Sequence, residues 1–291
     1  MDVSPPDLRD ADAVIELFDA AVTAQETCSG RSGSAVRLPA RGRLLATGDL
    51  HDNPLHLEKI VRLARLDADD DHHVVLHEMI HGERLINGMD FSYRMLARVA
   101  SLVVAAPHQT HPMLANHELS QLTGAGVSKG AGNSVQLVNE ALDFAYGDRG
   151  VEVADALGRF ITAMPLAVMT EGGVLCAHSL PAPAAMDRFD LDVLDRPLVE
   201  DDLHAPDGAA YLMTWGRHQT EEQIETLARR WNVSLFCLGH QHVETGIEAR
   251  GRRVVILNSD HEHAMVLPLD LAELPAAAEA PLFAVPLASV S

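Results

Sequence analysis

The chain has 291 residues, which is enough for one large domain with a well-buried core. Its 22 Lys and Arg stand against 42 Asp and Glu, for a formal net charge of -20. This balance provides no positive field to attract long nucleic acids or an anionic membrane surface, so both are excluded as expected partners.

The predicted elements begin with a helix near the N-terminus. Apolar residues at helical spacing predict a helix over residues 7–24, and the Gly- and Ser-rich residues 29–34 predict a linker. Residues 1–34 are therefore interpreted as an N-terminal helical appendage and linker. From residue 43 onward, short β-like runs alternate with amphipathic stretches, which is typical of an α/β fold. The predicted elements here are strands 44–47, 74–76 and 113–114 and helices 55–66 and 91–104.

The second half continues the alternation and then changes character. Its predicted elements are helices 135–146, 151–169 and 221–231, strands 174–177 and 233–238, and three successive antiparallel strands at 245–249, 254–257 and 264–267. An Arg250-Gly251 turn is predicted between the first two of these last strands. Residues 35–271 are interpreted as the catalytic domain, and residues 272–291 as a loosely held Ala/Pro-rich tail.

The cysteines, the N-terminus and the length of the apolar runs bear on the location of the protein. Cys28, Cys176 and Cys237 cannot all pair, and two of them lie in apolar runs, so packed thiols are expected rather than disulfides. The sequence shows no signal-peptide stretch and no apolar run of about 20 residues. We therefore expect a cytoplasmic protein.

Five short polar segments each follow an apolar, strand-like run. Carboxylate, amide and imidazole ligands thus stand where strands give way to loops, which is where α/β folds place metal and ligand sites. This relay indicates a two-metal hydrolase. The segments are Gly48-Asp49-Leu50-His51, Val75-Leu76-His77-Glu78, Ala115-Asn116-His117-Glu118, Cys176-Ala177-His178 and Gly239-His240-Gln241-His242.

Each motif is weak by itself, because Asp-x-His occurs four times in the chain. Only Asp49 and His51 follow a β-like run and a glycine, whereas the acidic run 67–73 is predicted as a surface loop. His108 and His111 flank prolines and are also expected in a loop. The specificity lies in the order of all five segments.

That order resembles the calcineurin-like metallophosphoesterases over about residues 44–271. The matching features are Asp-x-His, an acidic residue after a second strand, Asn-His-Glu, an isolated His and Gly-His-x-His. Residues 48–53 and 177–181 are most similar to the serine/threonine phosphatase and diadenosine tetraphosphatase branch. The resemblance implies an α/β fold, a four-layer α/β/β/α sandwich of two mixed β-sheets flanked by helices.

The resemblance also implies two metal ions that share one carboxylate. The implied ligands are Asp49, His51 and His242 for one ion, Asn116, His178 and His240 for the other, and Glu78 for both. Carboxylate and imidazole suit Mn, Fe or Zn, and two such ions can activate a water molecule and clamp the phosphoryl oxygens. His117 would protonate the leaving group, and Glu118 would fix its loop.

The second motif departs from the family pattern Gly-Asp-x-x-Asp-Arg-Gly. Glu78 stands for the bridging aspartate, His81 for the aspartate that orients the catalytic histidine, and Gly82 for the arginine that grips phosphate. Arg217 and Arg84 are candidate replacements for that arginine. These changes leave open how far activity is retained.

Two alternatives remain at this stage. His77-Glu78-Met79-Ile80-His81 matches H-E-x-x-H, in which two histidines on one helix bind zinc and the glutamate is the general base of a metallopeptidase. The altered second motif also permits a degenerate phosphatase with a binding or sensing role only.

The favoured hypothesis is a hydrolase of phosphomonoesters or small phosphoanhydrides, in which a metal-bound hydroxide attacks in line and His117 is the general acid. The expected partner is a small phosphorylated substrate or a phosphoprotein. No long nucleic acid and no membrane is expected.

Overall fold

The computed structural model describes residues 5–126, 128–129 and 132–291. The first four residues of the predicted appendage lie outside this range. The strands are β1 (Arg31–Ser32), β2 (Ala35–Leu38), β3 (Arg43–Ala46), β4 (His72–His77), β5 (Thr110–Met113), β6 (Ser128–Lys129), β7 (Gly132–Asn133), β8 (Ala167–Thr170), β9 (Val174–Ala177), β10 (Leu235–Leu238), β11 (Ile247–Arg250), β12 (Val254–Leu257), β13 (Met265–Asp270) and β14 (Val285–Pro286). The helices are α1 (Ala11–Glu26), α2 (Pro54–Ala64), α3 (Tyr93–Ala105), α4 (Asn116–Thr123), α5 (Ser134–Tyr146), α6 (Gly150–Thr162), α7 (Ala209–Trp215) and α8 (Glu221–Trp231).

The strands form two large mixed sheets and one small hairpin. The seven-stranded sheet has the order β1-β2-β8-β9-β10-β12-β11, and the five-stranded sheet has the order β14-β13-β3-β4-β5. In the first, β9, β10 and β12 are parallel neighbours, and in the second, β3, β4 and β5 are. The hairpin consists of β6 and β7. The predicted pair of mixed sheets is confirmed.

Alternating side chains assign each sheet an inner and an outer face. Leu44 and Val75 of the smaller sheet share one buried apolar cluster with Cys176 and Val255 of the larger sheet. Their strand neighbours, such as Leu45, belong to a second cluster that includes the helices. Because successive strand residues point to opposite faces, the two sheets pack against each other and the helices cover the outside. This is the predicted four-layer sandwich.

Helix boundaries follow local capping rules. Asn53 accepts a hydrogen bond from the backbone of His56 at 3.1 Å, and Pro54 occupies the first turn of α2, where its missing N–H costs nothing. Thr220 caps α8 in the same way, with acidic residues in its first turn and arginines in its last. These signals explain why both helices begin close to where the sequence predicts.

Both terminal segments pack on the sandwich. Phe18 of α1 is fully buried, and its ring lies 5.5 Å from that of Phe160 on α6. Arg31–Ser32 forms β1 where a linker was predicted. At the other end, β14 pairs with β13, and Leu287 is fully buried, so the tail is held in place rather than loose. The domain boundaries at residues 34 and 271 stay predictions, because packing does not show which segments fold independently.

The remaining corrections concern the strands. Residues 151–169 were predicted as one helix, but α6 ends at Thr162 and β8 follows. The strand predicted at 264–267 is β13, which joins β3 in the other sheet instead of continuing the β11–β12 hairpin. The three cysteines are buried and free, as predicted. Across the described residues, none of the helices has the length and apolar character that crossing a membrane requires.

Two histidines that were predicted in loops are buried in strands. His73 lies in β4 and His111 in β5, with 3.2 Å between Nδ1 of the first and Nε2 of the second. Burial, followed by the neighbouring His73, lowers the pKa of His111 from 6.5 to about 3, and burial also lowers the pKa of His73. Both rings are therefore neutral at pH 7.

Because of this buried pair, we expect the free energy of unfolding to fall at acid pH. Below about pH 6.5 the unfolded chain binds protons that the native pair refuses, so stability is lost as the pH falls from 6.5 toward 3. The double variant His73→Leu, His111→Leu should reduce the slope of unfolding free energy against pH by up to about 1.4 kcal/mol per pH unit for each imidazole. Urea unfolding between pH 7 and pH 4 measures this, with exposed His263→Leu as the control. An unchanged slope in the double variant would contradict the assignment.

Candidate metal centre

The carboxyl ends of five strands deliver the predicted polar segments to one edge of the two sheets. β3, β4 and β5 run parallel and are followed by Asp49, Glu78 and Asn116, respectively. In the other sheet β9 and β10 run parallel and are followed by His178 and His240. The sheets face each other, so the segments from both meet at this edge.

The turns that carry these side chains are strained. Five non-glycine residues adopt left-handed backbone conformations, and each costs on the order of 1 kcal/mol or more. They are His51 (φ 42°), Asp52 (φ 52°), Glu78 (φ 50°), His81 (φ 59°) and His240 (φ 65°). Such clustering is typical of sites where geometry serves function.

His178 is the centre of one group of ligand atoms. Its Nε2 lies 2.6 Å from Oδ1 of Asn116, 3.0 Å from Nδ1 of His240 and 3.0 Å from Oε2 of Glu78. All four residues are buried. The structure thus gathers the whole ligand set that was predicted for one ion, together with the predicted bridging carboxylate.

The other oxygen of Glu78 belongs to a second group. Oε1 lies 3.5 Å from Nε2 of His51 and 3.4 Å from Nε2 of His117. One carboxylate therefore joins two groups of potential metal ligands, which share Glu78. His117 was predicted as a proton donor rather than a ligand, and here it lies beside the predicted ligand His51.

Asp49 and His242 depart from the predicted arrangement. The Asp49 carboxylate accepts hydrogen bonds from the backbone N–H of His240 at 3.0 Å and approaches Nδ1 of His77 and Nδ1 of His178 at 3.5 Å each. His242 is exposed, packs its ring 5.3 Å from that of His261, and joins none of the ligand groups found in the described residues. The ligand roles of both residues stay predictions.

The donor set fits metal ions. Burial lowers the pKa of His77 to about 4 and, with the charge of Arg217 adding to it, the pKa of His240 to about 3. Burial also lowers the pKa of His178. These imidazoles are therefore neutral at pH 7, which is the form that binds metals. Neutral imidazoles, carboxylates and an amide oxygen suit the transition metals that were predicted.

Comparison with known families decides the classification. The family model of calcineurin-like phosphoesterases matches residues 42–244, which is more than half of the chain. The chain is a calcineurin-like phosphoesterase. It is accordingly a phosphoric ester hydrolase, and the predicted superfamily is confirmed.

Solved structures show the same fold as this phosphoesterase. A protein serine/threonine phosphatase from Saccharomyces cerevisiae aligns with a TM-score of 0.66 at 13% identity, covering 90% of this chain and 83% of its own. A cold-active protein-tyrosine phosphatase from a psychrophilic Shewanella species aligns with a TM-score of 0.56 at 16% identity, covering 82% and 78%. The comparison with curated proteins gave no significant sequence match.

Glu118 is fully buried in the phosphoesterase and supports the loop that carries Glu78. Its Oε1 accepts hydrogen bonds from the backbone N–H of Met79 at 2.7 Å and of Ile80 at 3.2 Å. Burial raises the pKa of this carboxyl to about 7. Through these two hydrogen bonds Glu118 contacts the backbone that directly follows Glu78.

The two candidate arginines are both exposed. Arg84 is 3.6 Å from Asp52 and, with His51 and His242, lines an open cavity of about 670 Å³. Arg217 is exposed, yet its charge contributes to the lowered pKa of His240. A side chain at Gly82 has no room, because a Cβ there would lie 2.7 Å from Cβ of Asp52. The family's arginine therefore cannot fit at this position without movement of the loop.

The peptidase alternative lacks its helix. His77 is the last residue of β4, Glu78 and His81 are left-handed, and no helix forms between residues 78 and 92, all of which are described. Nε2 of His81 instead lies 3.1 Å from Oε1 of Gln121. The two histidines do not share a helical face, so the geometry that H-E-x-x-H requires is absent.

Sequence reasoning missed the place of His77. Its ring lies 5.4 Å from that of His178, in the same buried group as Asp49. The available signal was its position, directly before the predicted bridging residue at the end of a strand.

Proposed function

We propose that this phosphoesterase hydrolyses phosphomonoesters or small phosphoanhydrides at a dinuclear centre of Mn, Fe or Zn. The observation that carries the proposal is the carboxylate of Glu78, whose two oxygens face different groups of ligand atoms. A carboxylate in this position suits two ions at the short separation that phosphoryl-transfer sites use.

A few residues of the chain have distinct roles in the proposed reaction. When bound, the ions would activate water and neutralise charge on the phosphoryl oxygens. His117 holds a proton for the leaving oxygen, since it is buried next to the shared carboxylate rather than in open solvent. Glu118 holds the loop of Glu78, and Arg217 and Arg84 bind the incoming phosphoryl group.

The lining of the open cavity beside His51 favours small substrates or single phosphorylated side chains. The cavity beside His51 is open and also carries the acidic residues Glu83 and Asp260. Together with the net charge of -20, these acidic groups disfavour long polyanions. A small phosphorylated molecule or a phosphoprotein is therefore the proposed partner, in the proposed cytoplasmic location.

Metal content and turnover test the proposal together. The apo protein is loaded with Mn²⁺ and assayed with p-nitrophenyl phosphate and a nucleoside triphosphate. We expect about two ions per chain and Mn-dependent release of phosphate. Asn116→Ala should lose activity by about 10²-fold or more, because it removes a polar group that stabilises the charged site. Asn232→Gly is the control, since Asn232 ends α8 with φ 55°, which glycine adopts freely.

Other outcomes are also decisive. Two ions without turnover on either substrate class would favour the binding or sensing role. A wild-type chain that binds no metal would overturn the proposal.

A further inference from the structure

His77 occupies a position where the family motif has glycine. It is 1% exposed and lies between the backbone of Thr47 and the ring of His178. An imidazole in place of a hydrogen atom adds a polar group to the buried side of the metal centre. The proposed reaction assigns it no role.

The hydrogen-bond partners fix where its proton lies. Nε2 of His77 is 2.8 Å from the carbonyl oxygen of Thr47, which can only accept, so Nε2 carries the proton. Nδ1 of the neutral ring then holds a lone pair. It lies 3.1 Å from Nδ1 of His178, and where no cation lies between two such nitrogens one of them must donate, so Nδ1 of His178 is the donor.

These two hydrogen bonds also determine which nitrogen of His178 keeps its lone pair. With its proton on Nδ1, a neutral His178 has its lone pair on Nε2. That atom faces the side chains of Asn116, Glu78 and His240 within 3.0 Å. Metal-binding histidines depend on such an outer partner for their tautomer and their orientation.

We propose that His77 is a positioning residue that holds His178 in the tautomer whose Nε2 binds a metal ion. The inference rests on the proposed dinuclear centre. The Thr47 carbonyl orients His77, and His77 in turn orients His178 from the side away from Asn116, Glu78 and His240.

Packing keeps the His77 ring in this orientation. A Cβ on Gly239 would lie 2.4 Å from Cε1 of His77 and 2.3 Å from Oδ1 of Asp49. The ring therefore lies flush against the backbone of the Gly-His-x-His segment. A side chain at position 239 would therefore clash with both the Asp49 carboxylate and the His77 imidazole.

A different use of the same atoms would make His77 itself a ligand, together with Asp49. That arrangement needs the lone pair of His178 on Nδ1 and its proton on Nε2. A single proton on Nε2 cannot form hydrogen bonds to Asn116, Glu78 and His240 at once, whereas a cation can accept a lone pair from each of these side chains. The positioning role is therefore favoured over ligation.

Zn²⁺ binding by three variants tests the proposal. His77→Leu removes the acceptor, His77→Asn keeps an oxygen acceptor near the Nδ1 position, and His111→Leu removes a buried imidazole elsewhere. We expect His77→Leu to bind one ion about 10- to 100-fold more weakly with two ions per chain retained. His77→Asn should recover most of that loss, and His111→Leu should match wild type in calorimetric titrations.

Nitrogen NMR of histidine-labelled wild type adds a test that needs no variant to fold. We expect His77 protonated on Nε2, and His178 protonated on Nδ1 with zinc on Nε2. Zinc on Nδ1 of either ring, or unchanged affinity in His77→Leu, would overturn the proposal. If the wild type binds no metal ion at all, the proposed function fails, whereas the tautomers of His77 and His178 in the apo protein still test the positioning role.

Discussion

Replacing Glu78 by glutamine should abolish the proposed dinuclear centre. Oε2 of Glu78 faces Nε2 of His178 at 3.0 Å, and Oε1 faces His51 and His117. An amide supplies only one oxygen and carries no charge, so it cannot join two cations. We expect Glu78→Gln to bind fewer than two ions and to lose about 10³-fold or more in kcat/KM.

Two further variants sharpen this test. Glu78→Asp keeps a carboxylate but shortens it by one methylene, so we expect two bound ions and intermediate activity. Glu171→Gln changes an exposed glutamate between β8 and β9 and should behave as wild type. Retention of two ions and full activity in Glu78→Gln would exclude a bridging role. Metal analysis and initial rates are the measurements.

His117→Ala should slow the reaction without emptying the centre. As a general acid, His117 should contribute about 10²- to 10⁴-fold to kcat. The loss should be greater for an alkyl phosphate than for p-nitrophenyl phosphate, because a nitrophenolate leaves without full protonation. The stoichiometry should remain at two ions, since the variant leaves all of the proposed metal ligands in place.

The structure also shows what to expect if His117 is a metal ligand instead. Nε2 of His117 lies 3.4 Å from Oε1 of Glu78, close enough to belong to a ligand group. If His117→Ala loses one ion, or loses equal activity on both substrates, then His117 is a ligand rather than a proton donor. His263→Ala, whose side chain is 60% exposed, is the control for removing a histidine.

Much of the fold could be predicted because its strands are short, apolar and buried. The predicted bounds of β9, β12 and α8 agree with the structure residue for residue. β8 was missed because Ala167–Thr170 continues the apolar pattern of α6. Pro165 was the available signal, since proline and the residue before it break a helix.

The site could be predicted as an order of residues but not as a set of contacts. The sequence placed Glu78, Asn116, His178 and His240 at strand ends, and parallel neighbours then brought them to one edge. It could not show that His242 is exposed, because side-chain direction in a loop depends on turns without a period. α4 was missed for a related reason, since its Asn116–Thr123 segment was interpreted only as a motif.

The left-handed turns around the proposed metal centre make the stability of this fold depend on metal supply. Each of the five strained residues from His51 to His240 costs on the order of 1 to 3 kcal/mol. An ion that binds only the native chain offsets such a cost, contributing about 2.7 kcal/mol when its free concentration is 100 times the dissociation constant. If the proposed ions bind there, their removal should therefore lower the stability of the native chain as well as stop its turnover.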